Sequence, residues 1–128
     1  MHAPKIVAYY AAMLAVMFVV LTIRVIKARI RGRISLGDGG DEALIRAGRV
    51  HGNFAEFVPF ALVLIALAEM NGSPAWSIHV LGTVLVLARL SHAWALSGGI
   101  ERMKFRQAGM IGTFIVLLGA ALHAVIGG

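Results

Sequence analysis

The most informative segment of the sequence is Arg46-Ala47-Gly48-Arg49-Val50-His51-Gly52-Asn53-Phe54-Ala55-Glu56-Phe57-Val58-Pro59-Phe60. This stretch is typical of a helix. At about 100° per residue, a polar stripe within an arc of roughly 80° collects two cations, an amide and a carboxylate: Arg46, Arg49, Asn53 and Glu56. The other side of the helix carries small residues, namely Gly48, Gly52, Ala55 and Pro59. Residues 58 to 68 then contain no polar side chain, so the stripe continues directly into an apolar segment.

The composition is that of a membrane protein. Of the 128 residues, 59% are hydrophobic and 14% are charged, whereas a soluble domain carries about 25% charged residues. The net charge of +6 on such an apolar background favours contact with anionic lipid, and we expect no nucleic-acid partner. The chain has no cysteine, which excludes disulfides and thiolate ligands. We predict no metal site.

Four stretches are long and apolar enough to cross a hydrocarbon core about 30 Å thick. We predict helices at about 5–31, 42–70, 75–96 and 103–127, in one domain that covers residues 1–128. Asp41 is the expected N-cap of the second helix. Successive helices are antiparallel neighbours, so the predicted fold is all-α, an antiparallel four-transmembrane-helix bundle in a membrane.

The basic residues predict how the bundle is oriented. They cluster after the first and third helices, at Arg24, Lys27, Arg29, Arg31 and Arg33, and again at Arg102, Lys104 and Arg106. The positive-inside rule places both basic loops in the cytoplasm and both termini outside. For any single cation in these clusters, setting topology and attracting membrane lipids is the simpler role.

Several conspicuous residues have ordinary structural interpretations. The small face of the second helix is typical of a packing surface, and Gly109, Gly112 and Gly119 on the fourth helix are typical of close helix contacts. His51 lies off the polar stripe, and we expect it to pack or to make a hydrogen bond. His123 is expected to be a polar residue at the outer membrane boundary.

The polar stripe needs a further explanation. A carboxylate inside a span, such as Glu56, costs roughly 2.5–3.5 kcal/mol on insertion scales unless it is paired. A structural salt bridge from Glu56 to Arg89 on the third helix is one alternative. It leaves Arg46, Arg49 and Asn53 unexplained. Because cations outnumber the carboxylate, the stripe favours a small zwitterion with additional carboxylates, which arginine forks and one carboxylate can bind.

The motif Arg49-x-His51-x-Asn53-x-x-Glu56-Phe57-x-Pro59 resembles the signature of the MAPEG family (membrane-associated proteins in eicosanoid and glutathione metabolism). The resemblance extends to the length, the four predicted spans, the basic loop and Arg89-Leu90-Ser91-His92. It is greatest to the bacterial branch, which implies a bacterial inner membrane location. The resemblance implies a homotrimer of four-helix subunits. The enzymatic members of the family bind glutathione between adjacent subunits, near the cytoplasmic side.

The resemblance also implies roles for individual residues. The glutathione-binding positions are matched by Arg29, Arg49, Asn53, Glu56, His51, His92 and Arg89. The family's catalytic arginine lies near the start of the fourth helix, where Arg106 is the better match and Arg102 the second. A cation beside a thiol lowers the pKa of the thiol and raises its thiolate fraction.

Two departures from the family pattern leave two functions open. Phe57 and His92 stand where some enzymatic members have tyrosine. Some family members bind lipid without catalysis, so the fold does not guarantee an enzyme. The first hypothesis is a glutathione transferase or peroxidase that acts on lipophilic small molecules arriving from the bilayer. The second is a non-catalytic membrane protein that binds lipid or serves as a scaffold.

Overall fold

A computed structural model describes residues 1–97 and 102–127. Within these ranges the chain forms four helices and no strand: α1 (Lys5–Gly32), α2 (Glu42–Met70), α3 (Ala75–Ser97) and α4 (Met103–Ile126). All four are long and apolar enough to cross a membrane. The predicted all-α fold with four spanning helices is confirmed, and the observed helix ends differ from the predicted ones by at most one residue.

The second helix begins at the predicted cap. The Asp41 side chain accepts a hydrogen bond from the backbone N–H of Leu44 at 3.0 Å, which satisfies a donor that the first helical turn leaves free. From Glu42 the helix continues to Met70 and includes Pro59. The polar stripe and the apolar segment therefore belong to one continuous helix.

The centre of the bundle is formed by α2 and α3. Each of them contacts the other three helices, whereas α1 and α4 do not touch within the described ranges. The core between them contains Leu14 of α1, Ile65 of α2, Leu85 of α3 and Val116 of α4. We call the end where α1 and α3 finish and where α2 and α4 begin the basic end.

Glycines allow α3 and α4 to approach closely. A Cβ atom added to Gly109 would lie 2.6 Å from the carbonyl oxygen of Ala88, and one added to Gly112 would lie 2.9 Å from the Ala88 Cβ. At Gly119 the nearest atom is the Leu81 Cδ2, at 3.3 Å. The close helix contacts predicted for these glycines are therefore confirmed, most tightly at Gly109.

The outward surface of the bundle is apolar along most of its length. Large exposed hydrophobic side chains occur on every helix, among them Val16, Val63, Leu87 and Leu118. Side chains of this kind suit contact with lipid chains, which agrees with the four spanning helices.

The end opposite the basic end is closed by a buried carboxylate. Glu69, near the end of α2, accepts hydrogen bonds from the backbone N–H groups of Ile6 at 2.7 Å and Val7 at 2.9 Å. The N-cap residue of α1, Pro4, makes no side-chain cap hydrogen bond. Glu69 therefore caps α1 from another helix, where a negative charge also complements the helix dipole.

Candidate functional site

An open cleft lies toward the basic end, where α2, α3 and α4 meet. Its volume of about 350 Å³ is within the range of about 300–1,000 Å³ that is typical of small-molecule sites. We call it the polar cleft; its lining residues are Gly48, Arg49, Gly52, Asn53, Glu56, His92, Leu96 and Arg106. Five of the predicted site residues therefore come together in one place.

The periodicity of α2 explains this arrangement. Val50, Phe54 and Val58, spaced four residues apart, are buried in the core. Burial of this face turns the residues that precede or lie between them outward. Arg49 and Glu56 are exposed as a result, and both line the polar cleft.

Two glycines give the polar cleft its width. A Cβ atom added to Gly48 or Gly52 would meet nothing within 4 Å. The expectation that the small face of α2 is a packing surface is therefore wrong for these two positions within the chain. Gly52 lies only about 40° around the helix from Glu56, so helical spacing in the sequence could have indicated that the two residues line the same cavity. Leu96 also lines the cleft but was not predicted to do so, because nothing in the sequence distinguishes it from the other leucines.

Arg89 lies behind the polar cleft and is only 1% exposed. Its Nη2 donates to the Asn53 Oδ1 at 2.6 Å, and its Nη1 donates to the Thr113 Oγ1 at 3.3 Å. Its guanidinium carbon lies 5.8 Å from the centre of the Phe54 ring, and its buried Nε has no hydrogen-bond partner among the described residues. The guanidinium therefore joins α3 to both α2 and α4.

The structural salt bridge between Glu56 and Arg89 does not form in the described part of the chain. Glu56 lies on the exposed side of α2, whereas Arg89 is buried and donates to Asn53 one turn earlier. Arg89 does not line the polar cleft. The Asn53 oxygen accepts from Arg89, so the part of the Asn53 side chain that can contact a ligand as a donor is its amide NH2 group.

His92 lines the polar cleft although it is 2% exposed. Its Nδ1 lies 3.4 Å from the Nη2 of Arg89. A guanidinium only donates hydrogen bonds, so this contact requires Nδ1 to accept and the ring proton to be on Nε2. Arg89 thereby orients two residues of the cleft, Asn53 and His92.

The two arginines proposed as catalytic occupy different places. Arg106 lines the polar cleft. The guanidinium carbon of Arg102 lies 3.9 Å from the centre of the Trp94 ring, and its Nη1 donates to the Trp94 carbonyl oxygen at 2.8 Å. Of the two, only Arg106 shares a cavity with Arg49 and Glu56.

Two further predicted site residues, in addition to Arg89 and Arg102, lie away from the polar cleft of their own chain. Arg29 donates to the carbonyl oxygens of Gly37 at 2.8 Å and Ile34 at 3.5 Å, and so holds the loop that follows α1. The His51 Nε2 lies 3.1 Å from the Thr22 Oγ1. The His51 ring also stacks on Phe18, with 4.9 Å between the ring centroids.

The charges of the polar cleft favour a ligand of mixed charge. Its lining contains two guanidinium groups, one carboxylate, one amide and one imidazole. Arg46, the remaining residue of the stripe, lines a different groove and pairs with Glu42 at 3.4 Å. The cleft can therefore bind anionic groups at Arg49 and Arg106 and an ammonium group at Glu56.

The fold and the cleft define a four-helix integral membrane protein with a polar site toward one end of the bundle. Residues 7–126 match the model of the MAPEG family, and the chain belongs to this family. It is similar to the inner membrane protein YecN of Escherichia coli K12 and of Escherichia coli O6:H1, at 37% identity over 111 residues, 87% of this chain and 83% of each relative. The family resemblance carried by the motif is therefore confirmed.

Proposed function

We propose that this protein binds glutathione in the polar cleft and uses it in transferase or peroxidase reactions on lipophilic electrophiles. The observation that carries this proposal is the joint lining of one cleft by Arg49, Asn53, Glu56 and Arg106. The family resemblance assigns these four residues to the tripeptide and its thiol. Membership of the MAPEG family supports the same class of activity.

Three side chains of the cleft have proposed partners among the carboxylate, ammonium and peptide groups of glutathione. Arg49 binds a carboxylate through its planar fork, and Glu56 binds the ammonium group. The amide N–H groups of Asn53 donate to the peptide, since Arg89 already occupies the amide oxygen. A buried arginine that holds its partner in one orientation reduces the entropy lost on binding.

Arg106 is the proposed catalytic residue. Its positive charge lowers the pKa of the glutathione thiol and so raises the fraction of thiolate, which is the nucleophile. In conjugation a carbon–sulfur bond forms as the bond to the leaving group breaks, and the thiol proton passes to water. In the peroxidase reaction two glutathione molecules supply two electrons and two protons to a lipophilic hydroperoxide, whose oxygen–oxygen bond breaks, so the products are an alcohol, water and glutathione disulfide.

We further propose that the protein works as a homotrimer. Glu56 is exposed in the single chain, and a carboxylate that faces lipid costs roughly 2.5–3.5 kcal/mol on insertion scales. Phe60, Val63 and Leu67 continue the exposed surface of α2 toward the opposite end. A neighbouring subunit on this surface covers Glu56. It also offers its own Arg29 to the adjacent cleft.

The proposed location is a bacterial inner membrane with the basic end in the cytoplasm and both termini outside. The positive-inside rule supports this orientation, and the inner membrane relative supports the location. Glutathione then reaches the polar cleft from the cytoplasm, and the lipophilic substrate reaches it from the bilayer.

The test is a titration of the purified protein in detergent with glutathione, followed by the ultraviolet absorbance of the thiolate. We expect saturable binding with a thiolate signal near neutral pH, because Arg106 stabilises the anion. Failure to bind at millimolar glutathione contradicts the proposal. Molar mass measured by light scattering of the same sample tests the trimer independently.

Two variants separate the arginines. Arg106→Ala is expected to reduce the thiolate signal at least about tenfold while much of the affinity remains. Arg102→Ala tests the other candidate for the catalytic arginine. It is expected to keep the thiolate signal, since Arg102 stacks on Trp94 instead of lining the cleft. A signal lost in Arg102→Ala but kept in Arg106→Ala reverses the assignment. Lys104→Ala is the matched control for loss of one exposed cation on α4.

A non-catalytic lipid-binding or scaffold role is the second candidate, favoured by one observation. Phe57, which offers no hydroxyl group, packs against Phe114 with 5.9 Å between the ring centroids. A phenol that could hydrogen-bond to a bound peptide is therefore absent at this position. Saturable glutathione binding without any thiolate signal or turnover is the result that favours this second role.

A further inference from the structure

A second groove lies on the other side of α2, between α1 and the first turns of α2. Its volume is about 260 Å³. We call it the α1–α2 groove; its lining residues are Leu21, Arg24, Lys27, Ala28, Arg31, Ala43, Arg46, Ala47, Val50 and Leu96. Among the described residues, Leu96 is the one that it shares with the polar cleft.

Helical spacing aims a set of cations into the α1–α2 groove. Arg24, Lys27 and Arg31 follow one another at intervals of three and four residues, so they share one face of α1. Arg46 joins them from α2. The carboxylate that pairs with Arg46 belongs to Glu42, whose side chain is 82% exposed, and exposed ion pairs of this kind are weak. Among its described lining residues the groove therefore carries four cations and no carboxylate.

The cations of the α1–α2 groove are more than a general excess of basic residues near a membrane surface. Arg29, on the same helix, donates to loop carbonyl oxygens and does not line the groove. Arg33 also lies outside it, beside Ile34 and Ser35. Cations that only set the topology do not need to share one face, whereas a binding site does.

The base of the α1–α2 groove is apolar. Leu21, Ala28, Val50 and Leu96 line it and are buried. Leu21 lies one turn or more from the cations at positions 27 and 31, in the direction of the membrane interior. The groove therefore combines cations at its rim with buried apolar side chains at its base.

We propose that the α1–α2 groove binds a phosphate group, with Arg24, Lys27, Arg31 and Arg46 as the cations that hold it. Arginine and lysine side chains bind phosphate oxygens through charge-assisted hydrogen bonds, and basic pockets between spanning helices bind anionic lipid head groups. The apolar base gives the hydrocarbon part of an anionic phospholipid a surface to lie on. A soluble phosphate compound shares the same head-group chemistry but does not use that surface.

This site differs in chemistry from the polar cleft. The polar cleft pairs its arginines with a carboxylate and an amide, which suits a zwitterion. Among the described residues that line the α1–α2 groove none is acidic, which suits an anionic group. The proposal therefore does not depend on glutathione binding or on catalysis.

The experiment measures lipid and phosphate binding to the purified protein by native mass spectrometry. The probes are phosphatidylglycerol, phosphatidylcholine as the zwitterionic comparison, and inorganic pyrophosphate. The groove variant is Lys27→Gln/Arg31→Gln, and the charge-matched control is Arg33→Gln/Lys104→Gln. All four side chains are exposed, so both variants are expected to fold. Retained thermal stability verifies this for each of them.

We expect the groove variant to lose about tenfold in phosphatidylglycerol affinity and the control to lose less than about threefold. Binding of pyrophosphate alone, lost in the groove variant but not in the control, supports the same site with a soluble phosphate as its ligand. Equal losses in the two variants, or no preference for phosphatidylglycerol or pyrophosphate over phosphatidylcholine, overturn the proposal.

Discussion

The two sides of the basic-end half of α2 carry similar cations but different surroundings. Toward α3 and α4, Arg49 shares a cleft with Glu56 and with Asn53, whose oxygen is fixed by a buried guanidinium. Toward α1, Arg46 shares a groove with three other cations above an apolar base. The groups beside an arginine, more than the arginine itself, therefore determine which anion a site suits.

The two sides of α2 also differ in whether a buried residue orients the side chains that line the site. Asn53 and His92 in the polar cleft both contact Arg89, which is buried and also bonded to Thr113. In the α1–α2 groove the cations of α1 are exposed. Recognition of a peptide with groups at several fixed distances needs such support, whereas attraction of a phosphate to a cluster of charges needs less.

The largest expected effect comes from breaking the support of the polar cleft. Arg89→Met leaves the Asn53 oxygen and the His92 Nδ1 without their donor, and each unsatisfied group costs about 1–3 kcal/mol. We expect the free energy of unfolding to fall by roughly 3 kcal/mol, together with weaker glutathione binding. Thermal unfolding in detergent measures the first effect, and titration the second.

The control for this substitution is Lys104→Met, which removes an exposed cation from α4. It is expected to change the free energy of unfolding by less than about 0.5 kcal/mol. Equal stability of Arg89→Met and Lys104→Met is the result that contradicts the supporting role of Arg89.

The second prediction concerns the Glu56 carboxylate, which lines the polar cleft but not the α1–α2 groove. Glu56→Gln keeps the shape of the side chain but removes the charge that binds an ammonium group. A hydrogen bond to a charged group contributes about 1.5–3 kcal/mol, so we expect glutathione affinity to fall about 30-fold. Isothermal titration measures it. Phosphatidylglycerol binding is expected to be unchanged, because Glu56 does not line the α1–α2 groove.

A reciprocal pair of substitutions sharpens the comparison further. Gly52→Leu places a side chain in the polar cleft, where a Cβ meets nothing within 4 Å, and Ala47→Leu places one in the α1–α2 groove. Because each added side chain occupies one cavity, we expect about a tenfold loss of glutathione binding in the first variant, from roughly 1.4 kcal/mol of lost contact.

The second variant is expected to lose phosphatidylglycerol binding by a similar factor and to keep its glutathione affinity. Each variant therefore serves as the control of the other. If both substitutions weaken both ligands equally, the two cavities do not act as separate sites.

The smallest expected effect contrasts an open glycine with a packed one. Gly48→Ala adds a methyl group where nothing lies within 4 Å, and alanine favours a helix over glycine by about 0.8–1.0 kcal/mol. We expect a gain of about that size in the free energy of unfolding. Gly109→Ala is expected to destabilise instead, since its Cβ would lie 2.6 Å from the Ala88 carbonyl oxygen. Denaturation of the two variants side by side measures both signs.

Local sequence was sufficient to predict the helices and the membrane class. Long apolar stretches, a capping aspartate at Asp41 and turn residues are short-range signals, and they placed the helix ends within one residue. The spacing of Arg49, Asn53 and Glu56 likewise predicted one polar face, because helical geometry fixes the directions of side chains a few residues apart.

Contacts between distant helices could not be predicted in the same way. Glu69 caps α1 across 63 positions of sequence. Arg89 of α3 donates to Asn53 of α2, and Glu56, one turn farther along α2, lies on the exposed side of the helix. Helix packing also places Arg46 in a different groove from the other residues of the polar stripe. Gly48 and Gly52, which were expected to pack against another helix, line the polar cleft instead. Periodicity defines which residues share a face of one helix, but only the packing of the bundle decides what that face meets.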